Sequence, residues 1–371
     1  MKIAFVYDRV NKFGGAERIL LALHEIWPHA PLFTAVYNKK KSAWAQDFSV
    51  YTTFLNRFRI FSDKHENLAL FTPLAFESLS FNGYDVVVSI TSADAKGIIT
   101  RADTLHICYC LTPTRYLWSG NEIYRREPGV GIINGIARAS MNLFFPQLRV
   151  WDFVASKRPD KYIAISDMVA KRIRKYYGPS VDVVYPPVDT ESFRPVKQNK
   201  SNFYLIVSRL VPYKRIDYVI EAFNRLKKRL IIVGSGSDEN RLKKMADRNI
   251  EFVNGNLTDE KLAWYYRKCK ALLFPGEEDF GLTAVEAQAC GSQVIAFRNS
   301  GVFESIIPNG TGILYNQTNA KSLLSAVMQF EKIKFSHTEC RKNALRFSKL
   351  KFKSVMKNTI ETYYQEWIKK I

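Results

Sequence analysis

No stretch of eighteen or more consecutive apolar residues occurs in the chain, so the sequence offers no segment of the length a bilayer-spanning helix needs. The opening, Met-Lys-Ile-Ala-Phe-Val-Tyr-Asp, turns polar too soon to read as a secretory leader. These absences predict a cytoplasmic protein, peripheral at most to the cytoplasmic face of a membrane. Cysteine is scarce: Cys108, Cys110, Cys269, Cys290 and Cys340 are odd in number and form no zinc-like pair of pairs. Reduced thiols are predicted rather than a disulfide framework. The five histidines include no i, i+4 pair around a glutamate, so no metal site is predicted. A Gly-Lys-Ser/Thr phosphate loop is missing, and Gly234-Ser235-Gly236-Ser237 lacks the three spaced glycines of an NAD or FAD site.

Acidic residues are also in deficit, with 35 Asp and Glu against 55 Lys and Arg, a net charge of +20. That imbalance calls for an anionic partner: nucleic acid, an acidic membrane face, or a phosphate-bearing ligand. Nucleic acid is disfavoured, because the bases are spread along the chain without a zinc finger, an RNP-like segment or a helix-turn-helix signal.

What is present is a repeated α/β pattern. The length of 371 residues suits two domains, and 47% hydrophobic content suits packed cores. Short apolar runs predict strands at Ile3–Tyr7, Val86–Ile90, Leu105–Cys110, Tyr162–Ile165 and Val181–Val184, with a helix from Ala16 to Ile26 after the Gly14-Gly15 loop. Pro186-Pro187 breaks any regular element, and the polar stretch Thr190–Asn202 reads as a linker. The pattern then restarts, with strands at Phe203–Val207, Leu230–Val233, Glu251–Asn254, Ala271–Phe274 and Val294–Ala296, and helices at Arg215–Leu226 and Asn240–Ala246. Val355–Ile368 has helical spacing. The predicted division is 1–187 and 188–350, two doubly wound Rossmann-like domains, with 351–371 as a terminal helix.

The segment Phe274 to Gly291 carries the densest chemistry. A buried strand runs into the acids Glu277, Glu278 and Asp279, and Phe280-Gly281-Leu282 then opens a helix whose first amides can face a phosphate or a hydroxyl. Glu278 and Glu286 are eight residues apart and can point to one place, where carboxylates accept from sugar or ribose hydroxyls. A solvated acidic loop is the plain alternative. Arg209 and Lys214 follow a strand of the second domain, where parallel sheets bind ligands, and such cations stabilise a leaving diphosphate. Alone, the two cations equally fit a solvated surface.

The Glu278-to-Glu286 spacing resembles the glutamate, seven residues, glutamate motif of the retaining GT-B glycosyltransferases of glycosyltransferase family 4. Gly14-Gly15-Ala16-Glu17 is similar to that family's first loop, and Ser208 to Arg215 to its diphosphate-binding segment. Ser300-Gly301-Val302-Phe303-Glu304 with Asn309 to Leu314 is similar to its later glycine-rich segment. A narrower likeness is to the mannosyltransferases that build bacterial surface polysaccharides. It rests on Tyr84 to Ser89, Ala95-Lys96-Gly97, Cys108-Tyr109, Thr112 to Tyr116, Trp151-Asp152, Tyr177-Gly178 and Tyr185 to Asp189.

The resemblance implies a metal-independent GT-B transferase that retains anomeric configuration and needs no cofactor beyond its nucleotide-sugar substrate, GDP-mannose first. A UDP-linked or 6-deoxy donor, or a non-catalytic sugar-nucleotide binder, are the alternatives. The implied donor set is Gly14, Gly15, Arg209, Lys214, Glu278, Asp279, Phe280, Gly281, Leu282 and Glu286, with Glu278 at the sugar and Glu286 at the ribose. Of these, Arg209, Lys214 and Glu278 would act in catalysis. Leu111, Thr112 and Arg115 would line the acceptor or sugar pocket in the first domain. The terminal helix would pack back on that domain, and the acceptor would be a lipid-linked or polysaccharide glycan.

Two sequence features bear on the acceptor and the sugar. Arginines lie among apolar residues in Phe54–Phe61 (Arg57, Arg59) and Gly135–Trp151 (Arg138, Arg149), a mixture that suits an anionic membrane surface or a solvated edge of core. Leu111 stands where the subgroup places a histidine before Thr-Pro. A donor hydroxyl left against leucine costs about 1–3 kcal/mol. A 6-deoxy donor, a displaced sugar and lost activity each fit that change.

Overall fold

The structure, a computed structural model, describes residues 1–57, 71–119, 134–197 and 200–371, and of 134–143 the backbone alone. It divides into two units, Met1–Tyr185 with Phe352–Ile371, and Pro186–Lys351.

The first unit is built on a seven-stranded sheet of β1 (Ile3–Tyr7), β2 (Leu32–Thr34), β3 (Val50–Thr52), β4 (Val86–Thr91), β5 (Leu105–Cys110), β6 (Lys161–Ala164) and β7 (Asp182–Val183). The order is β3-β2-β1-β4-β5-β6-β7 and every pairing is parallel. Ile3 pairs with Val86 and Tyr7 with Ile90, so β1 and β4 end together. All residues of β1, β4 and β5 are buried, as a parallel sheet covered on both faces requires. Two polar members of the central strands meet: the Ser89 hydroxyl lies 2.9 Å from His106 Nε2. Helix α1 (Gly15–His24) follows β1, helix α2 (Asn134–Ala155) precedes β6, and helix α3 (Asp167–Tyr176) follows it.

The second unit holds a six-stranded sheet of β8 (Tyr204–Val207), β9 (Leu230–Val233), β10 (Ile250–Val253), β11 (Ala271–Phe274), β12 (Gln293–Phe297) and β13 (Gly312–Tyr315). Its order is β10-β9-β8-β11-β12-β13, again all parallel. Helix α4 (Asp217–Leu226) puts Tyr218, Val219, Ile220, Ala222 and Phe223 into the core against β8 and β9. Helix α5 (Asp259–Lys268) leads into β11 and helix α6 (Leu282–Ala289) leaves it.

Within the stretch expected as a linker, Thr190 and Phe193 are packed, whereas 191–192 and 194–197 are exposed. Phe193 is fully buried against the Tyr266 ring, 5.8 Å between centroids, and the Arg341 guanidinium donates to the carbonyls of Thr190 (2.7 Å) and Phe193 (2.8 Å). The last helix, α7 (Lys349–Ile368), buries Phe352, Met356, Ile360 and Tyr363, a stripe at helical spacing. Tyr363 donates to the Asp182 carboxylate, Lys161 pairs with Glu366 at 3.1 Å, and Lys353 with Glu25 at 3.0 Å. All three partners lie in the first unit. Of the membrane-type segments, residues 58–61 and the side chains of 135–143 fall outside the described residues, Arg59 and Arg138 among them.

Candidate functional site

In each sheet the chain order reverses once, between β1 and β4 in the first unit and between β8 and β11 in the second. Outside the carboxyl ends of the strands at such a switch point, two loops diverge to opposite faces and leave room for a ligand.

In the second unit those loops are 208–215 after β8 and 275–281 after β11, and they join through an ion pair. Lys214 Nζ meets Glu278 Oε1 in direct contact, with the lysine residue only 8% exposed. Arg209 donates to the Tyr213 hydroxyl at 2.6 Å and remains exposed. Ser300-Gly301 pins the carboxylate loop: Ser300 Oγ accepts from the Glu278 amide at 3.0 Å, and the Gly301 amide donates to the Glu278 carbonyl at 2.8 Å. Gly281 has φ of 89°, left-handed backbone that favours glycine, and there it caps α6. The 208–215 loop is held from the other side by the serine-glycine loop. The Leu210 amide donates to the Ser235 carbonyl, and a Cβ on Gly236 would stand 2.2 Å from the Leu210 carbonyl oxygen. That close approach accounts for the glycines of 234–237.

Other predicted donor residues are placed less uniformly. Glu286 lies in α6, buried, and accepts from the Tyr266 phenol at 2.9 Å, which ties it to α5. Burial first, and Glu286 second, push the Tyr266 hydroxyl well above its ordinary value. The Phe280 ring is in the core, 5.3 Å from the Phe347 centroid, and anchors the loop from beneath. Asp279 and Leu282 are half-buried beside Gly281. Tyr218, unremarked in the sequence because it sits on the buried stripe of α4, donates to the Pro275 carbonyl at 2.7 Å and supports the loop from below.

In the first unit, Gly14 is the N-cap of α1 and Gly15 its first residue. Beneath them Glu17 is buried and accepts from the Tyr7 phenol at 2.6 Å; loss of solvent raises its carboxyl above the ordinary value. Asp8, which the sequence did not single out, bridges the switch point. It accepts from Thr91 Oγ1 (2.7 Å) and the amides of Ser92 (2.8 Å) and Ala95 (3.0 Å).

Leu111, Thr112 and Arg115 occupy the loop after β5; Thr112 is buried, and Leu111 and Arg115 are half-buried. Three separate sequence segments, around residues 93–96, 152 and 177, converge to hold this loop. Lys96 Nζ donates to Asp152 Oδ1 (2.5 Å), Thr114 Oγ1 (3.2 Å) and the Ala93 carbonyl (2.6 Å). The Asp152 carboxylate also accepts from Thr114 Oγ1 (2.6 Å), Trp118 Nε1 (2.8 Å) and the Tyr177 phenol (2.7 Å). Lys96 and Asp152 are both essentially inaccessible. Although burial opposes its charge, Asp152 and Asp94 raise the affinity of Lys96 for its proton, so the ammonium persists. Among the described residues no group of three or more His, Cys, Asp or Glu side chains is placed to hold a metal ion, and no helix is long and apolar enough to cross a membrane.

The two Rossmann-like lobes define a fold of the GT-B class. Residues 188–347 match the model of the family Glycosyl transferases group 1, a segment that contains Arg209, Lys214, Glu278 and Glu286. An uncharacterized glycosyltransferase of Methanocaldococcus jannaschii is 28% identical over 204 residues, covering 53% of this chain and 56% of that protein. The chain spans about half the length of the curated relatives it matches. Two solved structures share the fold over nearly the whole chain. The apo form of the lipopolysaccharide outer core galactosyltransferase WaaB superposes with a TM-score of 0.69 at 18% identity, covering 98% of this chain and 100% of that one. Anabaena HepE in complex with UDP gives 0.71 at 16%, with the same coverage.

Proposed function

We propose that this chain is a retaining glycosyltransferase that passes a hexose from a nucleotide-activated donor to a lipid-linked or polysaccharide glycan. The observation that carries the reading is the joining of Lys214 to Glu278 beside Arg209. It occurs at the sheet end where parallel folds bind ligands, inside the segment that matches the glycosyltransferase family. In this reading the second unit holds the donor and the first supplies the acceptor loop 111–115.

When the bond from the anomeric carbon to the diphosphate oxygen breaks, that oxygen gains negative charge. Arg209 meets it with a planar fork and Lys214 with a point charge, and both stabilise the departing diphosphate more than the bound donor. These cations supply the neutralisation that a divalent ion provides elsewhere. Donor binding exchanges the Lys214–Glu278 contact for two new ones, Lys214 to phosphate oxygen and Glu278 to sugar hydroxyls. Glu286, oriented by Tyr266, accepts from the ribose. The acceptor hydroxyl attacks on the face the diphosphate leaves, and a leaving phosphate oxygen takes its proton, which retains configuration without a protein nucleophile.

For the donor, the sequence likeness favours GDP-mannose, and the UDP held by the Anabaena protein of the same fold favours a UDP-linked sugar. We take the UDP-linked donor as the leading reading. A panel of UDP-, GDP- and dTDP-sugars, followed by thermal shift and by release of free nucleoside diphosphate, tests it. The UDP-sugars are expected to give the largest shift and the fastest release; silence from all of them sinks the enzyme reading.

The acceptor places the reaction at the cytoplasmic face of a membrane. The +20 charge and the exposed Val150, Phe153 and Val154 of α2 support that placement. Flotation with anionic but not neutral liposomes is the expected result, and failure with both removes this part of the proposal.

A further inference from the structure

We propose that the amino-terminal end of the second sheet carries a second binding site, for a phosphate-bearing ligand with an apolar portion, in which Lys200 is the central cation. This inference is independent of the reading above. A cavity of about 540 Å³ opens there. Lys200 precedes β8, Lys228 precedes β9 and Lys270 precedes β11, so in a parallel sheet all three ammonium groups gather at one end. That is the end opposite Arg209, Lys214 and Glu278, which follow the strands.

The charges in the cavity do not balance. Glu331 is its one carboxylate, and it is shared by Lys228 at 2.7 Å and Lys270 at 3.3 Å while also accepting from the Tyr204 phenol at 2.9 Å. Lys200 has no carboxylate partner among the described residues. Its ammonium donates to Ser292 Oγ, whose own proton goes to the Tyr266 carbonyl. The remaining neighbours that bear on its charge are the thiols of Cys269, Cys340 and Cys290. Desolvation lowers its proton affinity, as expected for a partly buried cation without a counter-ion. A partly desolvated charge without a counter-ion carries a cost, and a bound anion that accepts from the ammonium offsets it.

The lining also includes the apolar Phe330, Ile333 and Phe335. Phe330 and Phe335 stack with centroids 5.0 Å apart. Ammonium groups and stacked rings in one cavity suit a ligand with a phosphate at one end and carbon at the other. A soluble phosphate ester and the headgroup of an anionic lipid both have that chemistry.

The test uses the full chain carrying Arg209→Ala and Lys214→Ala, so that phosphate binding at the far end of the sheet is removed. Inorganic phosphate and phenyl phosphate are titrated calorimetrically, and vesicles of phosphatidylglycerol are compared with phosphatidylcholine. Phenyl phosphate is expected to bind more tightly than inorganic phosphate. Lys200→Met should weaken it about tenfold or more, the scale of a lost hydrogen bond to a charged group. Phosphatidylglycerol binding that is lost in Lys200→Met, without binding of either soluble phosphate, identifies the lipid headgroup as the source and upholds the site. If Lys200→Met does not fold, Lys270→Gln at a half-exposed position gives the same comparison. Absence of binding in every arm, or binding indifferent to both substitutions, overturns the proposal.

Discussion

Lys214 and Glu278 neutralise each other in the absence of donor, so neither faces the desolvation cost that either would carry alone. Among the described residues Arg209 pairs with no carboxylate; its contact is a phenol, and the proposed role at the diphosphate therefore falls on it most directly. Arg209→Ala is expected to lower turnover at saturating donor by about tenfold or more. A raised Michaelis constant with unchanged turnover would instead indicate binding that is uniform between ground and transition states. Leu111 sets a second prediction. It is half-buried and its amide is tied to the Thr91 carbonyl at 2.8 Å, so the backbone of the position is fixed and only the side chain varies. An apolar neighbour suits a methyl at C6, and wild type should use a 6-deoxy donor better than its 6-hydroxy counterpart. Leu111→His should narrow or reverse that preference. A wide preference for the 6-hydroxy sugar in wild type, merely improved by histidine, would remove the idea.

Among the elements of the first unit, the loop after β5 depends on a buried ion pair with every hydrogen bond satisfied. Lys96→Met leaves Asp152 charged, inaccessible and short of a donor, and should cost about 3–5 kcal/mol in denaturant unfolding of the first unit. A loss below about 1 kcal/mol would show that the carboxylate finds another partner or a proton. The neighbouring strands carry a pH signature. Burial lowers His106 in β5 from 6.5 to about 3, so between those values the unfolded chain binds a proton that the native one refuses, and stability falls on acidification. Burial raises Asp94, after β4, from 3.8 to about 6, so in that window the native state holds the extra proton and stability rises on acidification. The two slopes oppose each other between about 4 and 6. Asp94→Asn should therefore leave the first unit losing about 1.4 kcal/mol per pH unit more than wild type as pH falls from 6 to 4. Equal slopes in the two proteins would mean that Asp94 does not hold its proton.

The elements also show what could be read beforehand. Long apolar strands such as β4 and β5 were legible, because burial on both faces leaves an unmistakable run. Lys214, Glu278 and Gly281 stood out through the family resemblance, since alone their pattern equally fits a solvated loop, and the contact between Lys214 and Glu278 was not among the expectations. The three-residue strands β2 and β3 carry too little sequence to announce themselves, whereas β7 (Asp182–Val183) lies inside the predicted Val181–Val184. Asp8 and Tyr266 were invisible for a different reason: each acts through a partner more than a dozen residues away, Thr91 and Glu286, and nothing in local spacing records such a pairing. The Lys96–Asp152 contact is intermediate. Its members stood in quoted motifs, but only the fold brings residues 96, 114, 118, 152 and 177 to one point.

For the whole molecule, the unit that opens the chain is completed only after the other has been traversed, because residues 352–371 belong with Met1–Tyr185. Phe352 approaches Tyr109 of β5 at 6.2 Å between centroids, and Tyr363 bonds Asp182 of β7. Deleting 352–371 should therefore reduce amide-exchange protection in β5–β7 while leaving Pro186–Lys351 protected. Equal loss in both units would show that they unfold as one cooperative body.

The same helix gives the protein an order of assembly on the ribosome. Translation at about 5–20 residues per second delivers the first sheet early, yet its closing helix emerges only after residue 351. The second unit, whose residues are contiguous from 186 to 351, can finish first although it is encoded second. Until α7 arrives, the β5–β7 side of the first unit waits with its apolar surface uncovered. It is the stretch on which a nascent-chain chaperone would be expected to dwell longest.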